Sequence, residues 1–277
     1  MNEFINWWNH IPECINPVAF KIGFIQVHYY GLMYLAAFAT VYALIVCRLK
    51  KEKIRLSRQL IDNFFFWAIG ALLIGGRLGY VLFYNLAYYL KHPLEIVLPF
   101  DIDNGFQYIG LYGMSYHGAL IGVIITSLIF CWRHKISFLQ LADLLIPAVP
   151  LGYTFGRLGN FINGELYGRV TKVPWGMYFP LDSAHRLRHP SQLYEALFEG
   201  IFLFIILWNL RKSVQFPGML FSLYLIGYGA VRFVLEFFRE PDPQLGFIFG
   251  PFTMGQVLCF VMILFGGTLA LKEKILK

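Results

Sequence analysis

Three arginines stand inside apolar, helix-patterned runs: Arg77 in GGRLGY, Arg157 in FGRLGNFINGE and Arg232 in GYGAVRFVLEFFRE. A guanidinium at the centre of a bilayer costs about 2.5 to 3.5 kcal/mol on insertion scales, so three of them imply a buried anionic partner or a water-filled cavity. Around Arg232, the residues Tyr228, Glu236 and Arg239 follow at spacings that place all four on one helical stripe. An Arg232 and Glu236 pair that only fixes packing, with Arg239 as a snorkelling anchor, is the plainer reading. Two cations flanking one carboxylate instead leave a positive charge to balance, which favours an anionic ligand. After Arg157 come Asn160, Asn163 and Glu165, separated by glycines. Gly159 and Gly164 argue against continuous helix past Asn160, and irregular backbone at membrane depth is tolerated only where it is buried or lines a cavity. An exit loop with Asn caps explains the glycines and asparagines but not Arg157 with Glu165.

His117, in YHGALIG, is the natural proton acceptor near neutral pH, although a histidine opening a helix also serves as a cap or packing residue. His185 and His189 have i, i+4 spacing, but Pro190 follows and no acidic residue completes a metal pattern, so no metal site is expected. Asp101 and Asp103 form a DxD, a weak signal alone. Cys14, Cys47, Cys131 and Cys259 are scattered without CxxC spacing, and neither a disulfide nor a metal site is expected.

The elements that must position these groups follow from composition. With 58% hydrophobic, 18% aromatic and only 14% charged residues, the chain is too apolar for a soluble domain and reads as a polytopic membrane protein. Apolar runs long enough to cross a bilayer, roughly 20 residues, fall at 29–47, 61–84, 116–132, 138–160, 191–210, 217–238 and 253–271. The expectation is an all-α polytopic helical bundle of about seven transmembrane helices, forming a single integral-membrane domain over residues 1–277. The residues before Tyr29 lack a basic n-region and a small-residue cleavage site, so no removed signal peptide is expected, and Trp7 with Trp8 reads as an interfacial anchor.

Basic residues set the orientation. Arg48, Lys50, Lys51, Lys53, Arg55 and Arg58, then Arg133 and Lys135, Arg211 and Lys212, and Lys272, Lys274 and Lys277 all fall on one side if the spans alternate. That side is cytoplasmic, which puts the amino terminus outside and the carboxyl terminus inside. The opposite connections carry Glu95, Asp101, Asp103, Asp182, Glu240 and Asp242, and segments 85–115 and 161–190 are long enough for a small external cap. The net charge of +7 is then mostly a topological label; no basic stripe interleaved with aromatics points to nucleic acid. The three arginines lie in outward-running spans, past the middle of each, and so gather in the outer half of the membrane. The tetrapeptide GRLG occurs twice, at Gly76–Gly79 and Gly156–Gly159, consistent with either small-residue helix packing or a distant duplication.

The run from Gly156 to Gly168, GRLGNFINGELYG, resembles the signature of the bacterial prolipoprotein diacylglyceryl transferases. The resemblance extends over nearly the whole chain, through HYYGLMY at His28–Tyr34, GGRLGYVLFYN at Gly75–Asn85, HGALIG at His117–Gly122, RHPSQLYE at Arg188–Glu195 and IGYGAVRFVLEFFREPD at Ile226–Asp242. The family usually carries a second glycine where this chain has Ala119.

The resemblance implies a multi-pass protein of the bacterial inner membrane. Its reaction would move the diacylglyceryl group of phosphatidylglycerol to the lipobox cysteine thiol of a preprolipoprotein, forming a thioether and releasing glycerol phosphate. Partners would be these two substrates and the bilayer, with no cofactor. The leaving phosphate gains negative charge as its carbon–oxygen bond breaks, which preorganised cations in a dry site stabilise most strongly, and arginine's planar fork suits phosphate. Resemblance assigns Arg157 and Arg232 to the lipid phosphate, with Tyr30, Arg77, Asn160, Glu165, Tyr228, Glu236 and Arg239 lining the site. A thiol of pKa near 8.5 needs a base or a positive field at neutral pH; His117 or an arginine-assisted tyrosine could supply it. Two other classes stay open on the residues alone: an anion transporter, which needs polar lining on both sides of the midplane, and a scaffold that binds without turnover.

Overall fold

The structure, a computed structural model, describes residues 2–23, 25–52, 54, 56–98, 100–101, 107–108, 113–241 and 247–275. Lys53, Arg55, Asp103, Asp242 and Lys277, all invoked above, lie outside the described residues. In chain order come α1 (Asn2–Asn9), α2 (Ile11–Cys14), a hairpin of β1 (Val18–Ile22) and β2 (Ile25–His28), α3 (Tyr29–Lys51), α4 (Arg58–Tyr84) and α5 (Leu86–Tyr89). A 3-10 turn at Pro93–Ile96, β3 (Phe100–Asp101) and β4 (Gln107–Tyr108) lead to α6 (Tyr116–His134), α7 (Phe138–Leu145) and α8 (Val149–Ile162). Then α9 (Ser191–Glu195) runs through a π-helical stretch, Ala196–Phe202, into α10 (Leu203–Leu210). The chain finishes with α11 (Met219–Leu235), a short ribbon of β5 (Phe247–Phe249) and β6 (Phe252–Thr253), and α12 (Met254–Ile275).

The protein is mostly helical, and five stretches among the described residues are long and apolar enough to cross a membrane: Tyr29–Lys51, Arg58–Tyr84, Tyr116–His134, Ser191–Leu210 and Met254–Lys272. The fourth expected span, 138–160, is not one helix. It is α7 and α8 bent by 56°, which together make a sixth candidate. Pro147 and Pro150 flank the break, and neither has an N–H to continue a helical ladder. The sixth expected span, 217–238, shrinks to α11, whose 17 residues reach only about 26 Å.

Two compact units contain these elements, Met1–Glu52 with Ala142–Lys277, and Lys53–Leu141. In the second, α4 and α6 cross through glycines: a Cβ on Gly79 would lie 2.6 Å from Gly118 Cα, and one on Gly122 2.7 Å from the Ala71 carbonyl oxygen. The small-residue packing read from GRLG is therefore what Gly79 does, and the close approach beside His117 is made by Gly118, while the Ala119 methyl faces Gly76, 3.6 Å from where a Cβ there would lie. Ser57 and Ser115 cap the two helices by accepting from Leu60 N (3.1 Å) and Gly118 N (3.2 Å).

In the first unit, the helices sort their polar residues to two ends. At one end Arg48, 4% exposed, donates to the carbonyls of Asp143 (2.8 Å) and Leu144 (2.6 Å) and pairs with Glu52 at 2.9 Å. Glu52 also holds Arg211 at 2.8 Å, and the Asp143 carboxylate accepts from Gly218 N (2.7 Å) and Phe221 N (3.0 Å), capping α11 from far along the chain. Arg48 and Arg211, read above as topological labels, also serve as staples that tie α3, α7 and α10 together. Tyr30 begins the same helix that Arg48 ends, 18 residues and about 27 Å away.

Beyond the Tyr30 end lies a folded segment, 163–190. Gly164 turns the chain out of α8 with φ 69°, and Phe161, Met177 and Phe179 form a small core covered by Trp8, Ile11, Ile15, Tyr167 and Leu193. Trp8 donates to the Trp175 carbonyl at 3.0 Å, so of the expected anchor pair only Trp7 is broadly exposed. Arg188 grips Asp182 through two hydrogen bonds (2.7 and 2.9 Å) and reaches Glu240 at 3.1 Å. His185 and His189 point to different neighbours, His185 stacked on Tyr178 and His189 bonded to Tyr194 Oη at 3.1 Å.

The Arg188 hydrogen bonds, with backbone N–H groups of Arg186 and Ala184, hold the Asp182 carboxyl down at about 2 against an unfolded value near 3.9. A depressed carboxyl stabilises the folded form above its unfolded value and loses that contribution as pH falls through the folded one. The segment should therefore loosen between about pH 4 and pH 2, by roughly 1–2 kcal/mol. Amide exchange across 177–190 measures this, and Asp182→Asn should flatten the dependence.

Candidate active site

The site is assembled where α8, α9 and α11 converge. α8 brings Arg157, and Arg157 Nη1 donates to Asn160 Oδ1 at 3.0 Å, one turn on. Asn160 Nδ2 in turn donates to Glu165 Oε1 at 2.7 Å, just past the helix end. The helix runs two residues beyond the expected stop at Asn160, because Gly159 sits inside it under the Tyr30 ring and only Gly164 has the left-handed backbone that ends it. A Cβ on Gly159 would lie 3.2 Å from Tyr30 Cδ2, so that glycine lets α3 and α8 close over the polar cluster.

Arg157 Nε meets Glu195 Oε2 at 3.0 Å, and Arg232 Nη1 meets Glu195 Oε1 at 2.9 Å. Arg232 also approaches Glu199 at 3.5 Å and Glu236, one turn ahead on its own strand of chain, at 3.0 Å. Tyr153 Oη donates to Glu199 Oε2 at 2.5 Å while its ring lies 4.7 Å under the Arg157 guanidinium. Thr253 Oγ1 donates to Glu236 Oε1 at 2.9 Å, and Gly255 leaves room for that carboxylate. Gln192 Nε2 fixes the Glu165 carbonyl at 2.6 Å. A continuous chain of polar contacts thus runs from Glu165 to Thr253 through both arginines, in side chains that are almost all buried.

Glu195 and Glu199 are four residues apart and so share a helix face, and both carboxylates reach Arg232. Glu199 lies within the π-helical stretch, a departure from regular helix that recurs at functional sites. Gly200 sits against the Thr154 side chain, which brings the stretch hard against α8.

One expectation fails here. The cations were to outnumber the carboxylates, but Arg157 and Arg232 face Glu195, Glu199 and Glu236, and the cluster carries a net negative charge if all are ionised. The fifth span supplies Glu195 and Glu199, two ionisable residues four apart in an apolar run, which was itself a readable signal. Tyr153, Gln192 and Thr253 carried none, since nothing local marks a tyrosine or threonine as facing a buried carboxylate.

The expected stripe on α11 is also shorter than its spacing suggested. The helix ends at Leu235, so Arg239 leaves the stripe and joins the outer segment, where its carbonyl accepts from Arg169 Nε at 2.8 Å. Tyr228 remains beside the cluster, edge-on to Tyr153 at 6.1 Å. Arg77 and His117 belong to the second unit. Arg77 donates to the carbonyls of Glu95 (2.5 Å) and Ile96 (2.8 Å) and lies over the Tyr89 ring. His117 is exposed at the start of α6, with its ring against Tyr116.

Fold and site define a multi-pass membrane protein with a buried guanidinium–carboxylate centre at one end of its helices. Residues 17–272 match the family model described as prolipoprotein diacylglyceryl transferase. The chain belongs to this family, and it is a transferase of the first step of lipoprotein maturation. It is 56% identical over 267 residues to the phosphatidylglycerol–prolipoprotein diacylglyceryl transferase of Chlorobaculum tepidum, covering 96% of this chain and 92% of that one. The enzyme of the same name from Wolinella succinogenes is 48% identical over 273 residues (96% and 98% covered), and that from Geobacter sulfurreducens 48% over 257 residues (92% and 94%). Membership sets aside the anion-transporter and scaffold readings.

Proposed function

We propose that this chain takes the diacylglyceryl group from phosphatidylglycerol and places it on the lipobox cysteine sulfur of a preprolipoprotein. The thiolate attacks the glycerol carbon, the carbon–sulfur bond forms as the carbon–oxygen bond breaks, and glycerol phosphate leaves with the electron pair. The observation that carries this reading is the meeting of Arg157 and Arg232, from separate helices, on one buried carboxylate. The Arg157 side chain is 19% exposed, so its guanidinium is the more accessible of the two to a phosphate. Asn160, Glu165 and Tyr30 hold that guanidinium's position, while Glu236 and Tyr228 flank Arg232. By the family resemblance Arg77 and Arg239 are substrate-binding residues as well.

Seven spans, with α11 as the short one, and an outward-facing amino terminus in the bacterial inner membrane fit the sorting of charge between helix ends. Arg48, Lys50, Lys51, Arg211 and Lys212 sit at the end away from Tyr30 and Arg232, which makes that end cytoplasmic. The site and the segments 85–115 and 161–190 then face the outside, where an exported substrate presents its cysteine.

Purified protein incubated with phosphatidylglycerol and a lipobox peptide should add the mass of one diacylglyceryl group to the cysteine, with chelators present. No mass gain on the peptide from folded protein overturns the reading. His117 is the base in this scheme. His117→Gln should lower transfer about a hundredfold at neutral pH and recover as the thiol ionises unaided toward pH 9. Transfer that stays normal at every pH removes His117 from that role and leaves it to a tyrosine.

A further inference from the structure

Glu195 is the only carboxylate among the described residues that touches both guanidinium groups. It closes α9 immediately before the π-helical stretch, is 2% exposed, and directs one oxygen to each arginine. A carboxylate and a phosphodiester offer a guanidinium the same pair of acceptor oxygens, so a carboxylate in this position occupies the geometry that an anionic headgroup needs.

The two contacts are not equivalent. Arg232 keeps Glu199 and Glu236 if Glu195 moves away, and it is the more deeply enclosed of the pair, with a side chain 10% exposed against 19%. Arg157 pairs with no other carboxylate among the described residues; without Glu195 it holds Asn160 and the Tyr153 ring. The contact to Arg157 is therefore the one that a ligand anion can replace, and Arg232 is the anchor about which the carboxylate can swing. Charge points the same way. With Glu195, Glu199 and Glu236 all ionised, two cations face three carboxylates, and a phosphodiester then enters as a resident carboxylate gives up its cation.

We propose that Glu195 is a resident counter-ion in the Arg157 fork, displaced when the donor's phosphate binds and returning to expel the glycerol phosphate product. It is a positioning residue, acting through Arg157. The inference rests on the reading of Arg157 as a phosphate-binding group. Without its counter-ion Arg157 would be a partly buried cation in the empty enzyme; with it, the empty site is closed and anion binding is an exchange. The product carries more negative charge than the donor, so the returning carboxylate matters most at release.

Glu195→Gln keeps the shape and removes the competing charge. The variant should bind phosphatidylglycerol in mixed micelles about tenfold more tightly, a change of 1.4 kcal/mol. Inhibition by added glycerol phosphate should strengthen about as much, with kcat lowered as release becomes limiting. A role confined to holding the helices together predicts weaker binding or none. Folded Glu195→Gln that binds donor and product no more tightly than the native protein overturns the inference. If that variant does not fold, Glu195→Asp serves: it retracts the carboxylate by one methylene and should tighten donor binding about two- to fivefold, and unchanged binding counts against the inference. Arg157→Ala measured on the same micelles separates the two readings. Native-like lipid affinity in Arg157→Ala removes the clamp and this inference with it, whereas weakened binding there, beside unchanged binding in Glu195→Gln, removes the counter-ion alone.

Discussion

Arg157→Ala should cost about a hundred- to a thousandfold in kcat/KM for the lipid donor while leaving the protein folded. The scale is that of removing one preorganised donor from a charge-stabilising site. Folding survives because Glu195, the one carboxylate that Arg157 holds, still has Arg232 at 2.9 Å. Asn160 loses one donor but keeps Glu165 at 2.7 Å. Arg157→Lys should recover only part of the rate, since an ammonium is a point charge and cannot hold Glu195, Asn160 and a phosphate with one planar group. Thermal stability near the native value, together with lost transfer to a lipobox peptide, is the expected pair of measurements. Near-normal transfer in the alanine variant would remove the phosphate clamp.

Arg232→Ala should behave differently and be the more damaging change. Three carboxylates, Glu195, Glu199 and Glu236, lose a shared cation in a place where all three are buried. Removing one partner of a buried ion pair costs about 3–5 kcal/mol, because the remaining charge stays uncompensated. The variant should unfold at a markedly lower temperature in detergent, with transfer abolished. Adding Glu199→Gln to Arg232→Ala should return part of the stability and none of the activity. An unchanged melting temperature in the single variant would mean that the three carboxylates do not depend on Arg232, and the account of the cluster would need to be redrawn. The two arginines thus divide: Arg157 is costly to chemistry, Arg232 to structure and chemistry together.

Much of this was readable from residue types alone. An arginine in an apolar run demands an explanation, and the groups that follow Arg157, Asn160 and Glu165, are indeed its neighbours. The start of α3 at Tyr29 and the folded segment after α8 follow from where apolar runs stop. What could not be read were facts that depend on how distant elements meet. The two glutamates of the fifth span were not singled out although they stand in an apolar run, and their partners lie on α8 and α11, far along the chain. Arg48 and Arg211 read as topological labels, and nothing in the sequence marked their second role as staples, which only Glu52 and the Asp143 and Leu144 carbonyls disclose. The break between α7 and α8 was written in Pro147 and Pro150, but the hydrophobic run continues through them and masks it. The end of α11 depends on a C-terminal turn at Glu236 rather than on any change in polarity, so Arg239 read as part of a longer helix.

The wide turn at Ala196–Phe202 separates two demands that a regular helix would have to satisfy at once. Before it, the rotation of Ser191–Glu195 is dictated by guanidinium partners. After it, Ile205 and Ile206 stay outward and Leu203 and Leu207 inward, an azimuth dictated by hydrocarbon and by neighbouring helices. Because a surplus residue absorbs the angular mismatch between them, the half of this helix that meets lipid is free to drift in sequence without turning the glutamates away from their arginines.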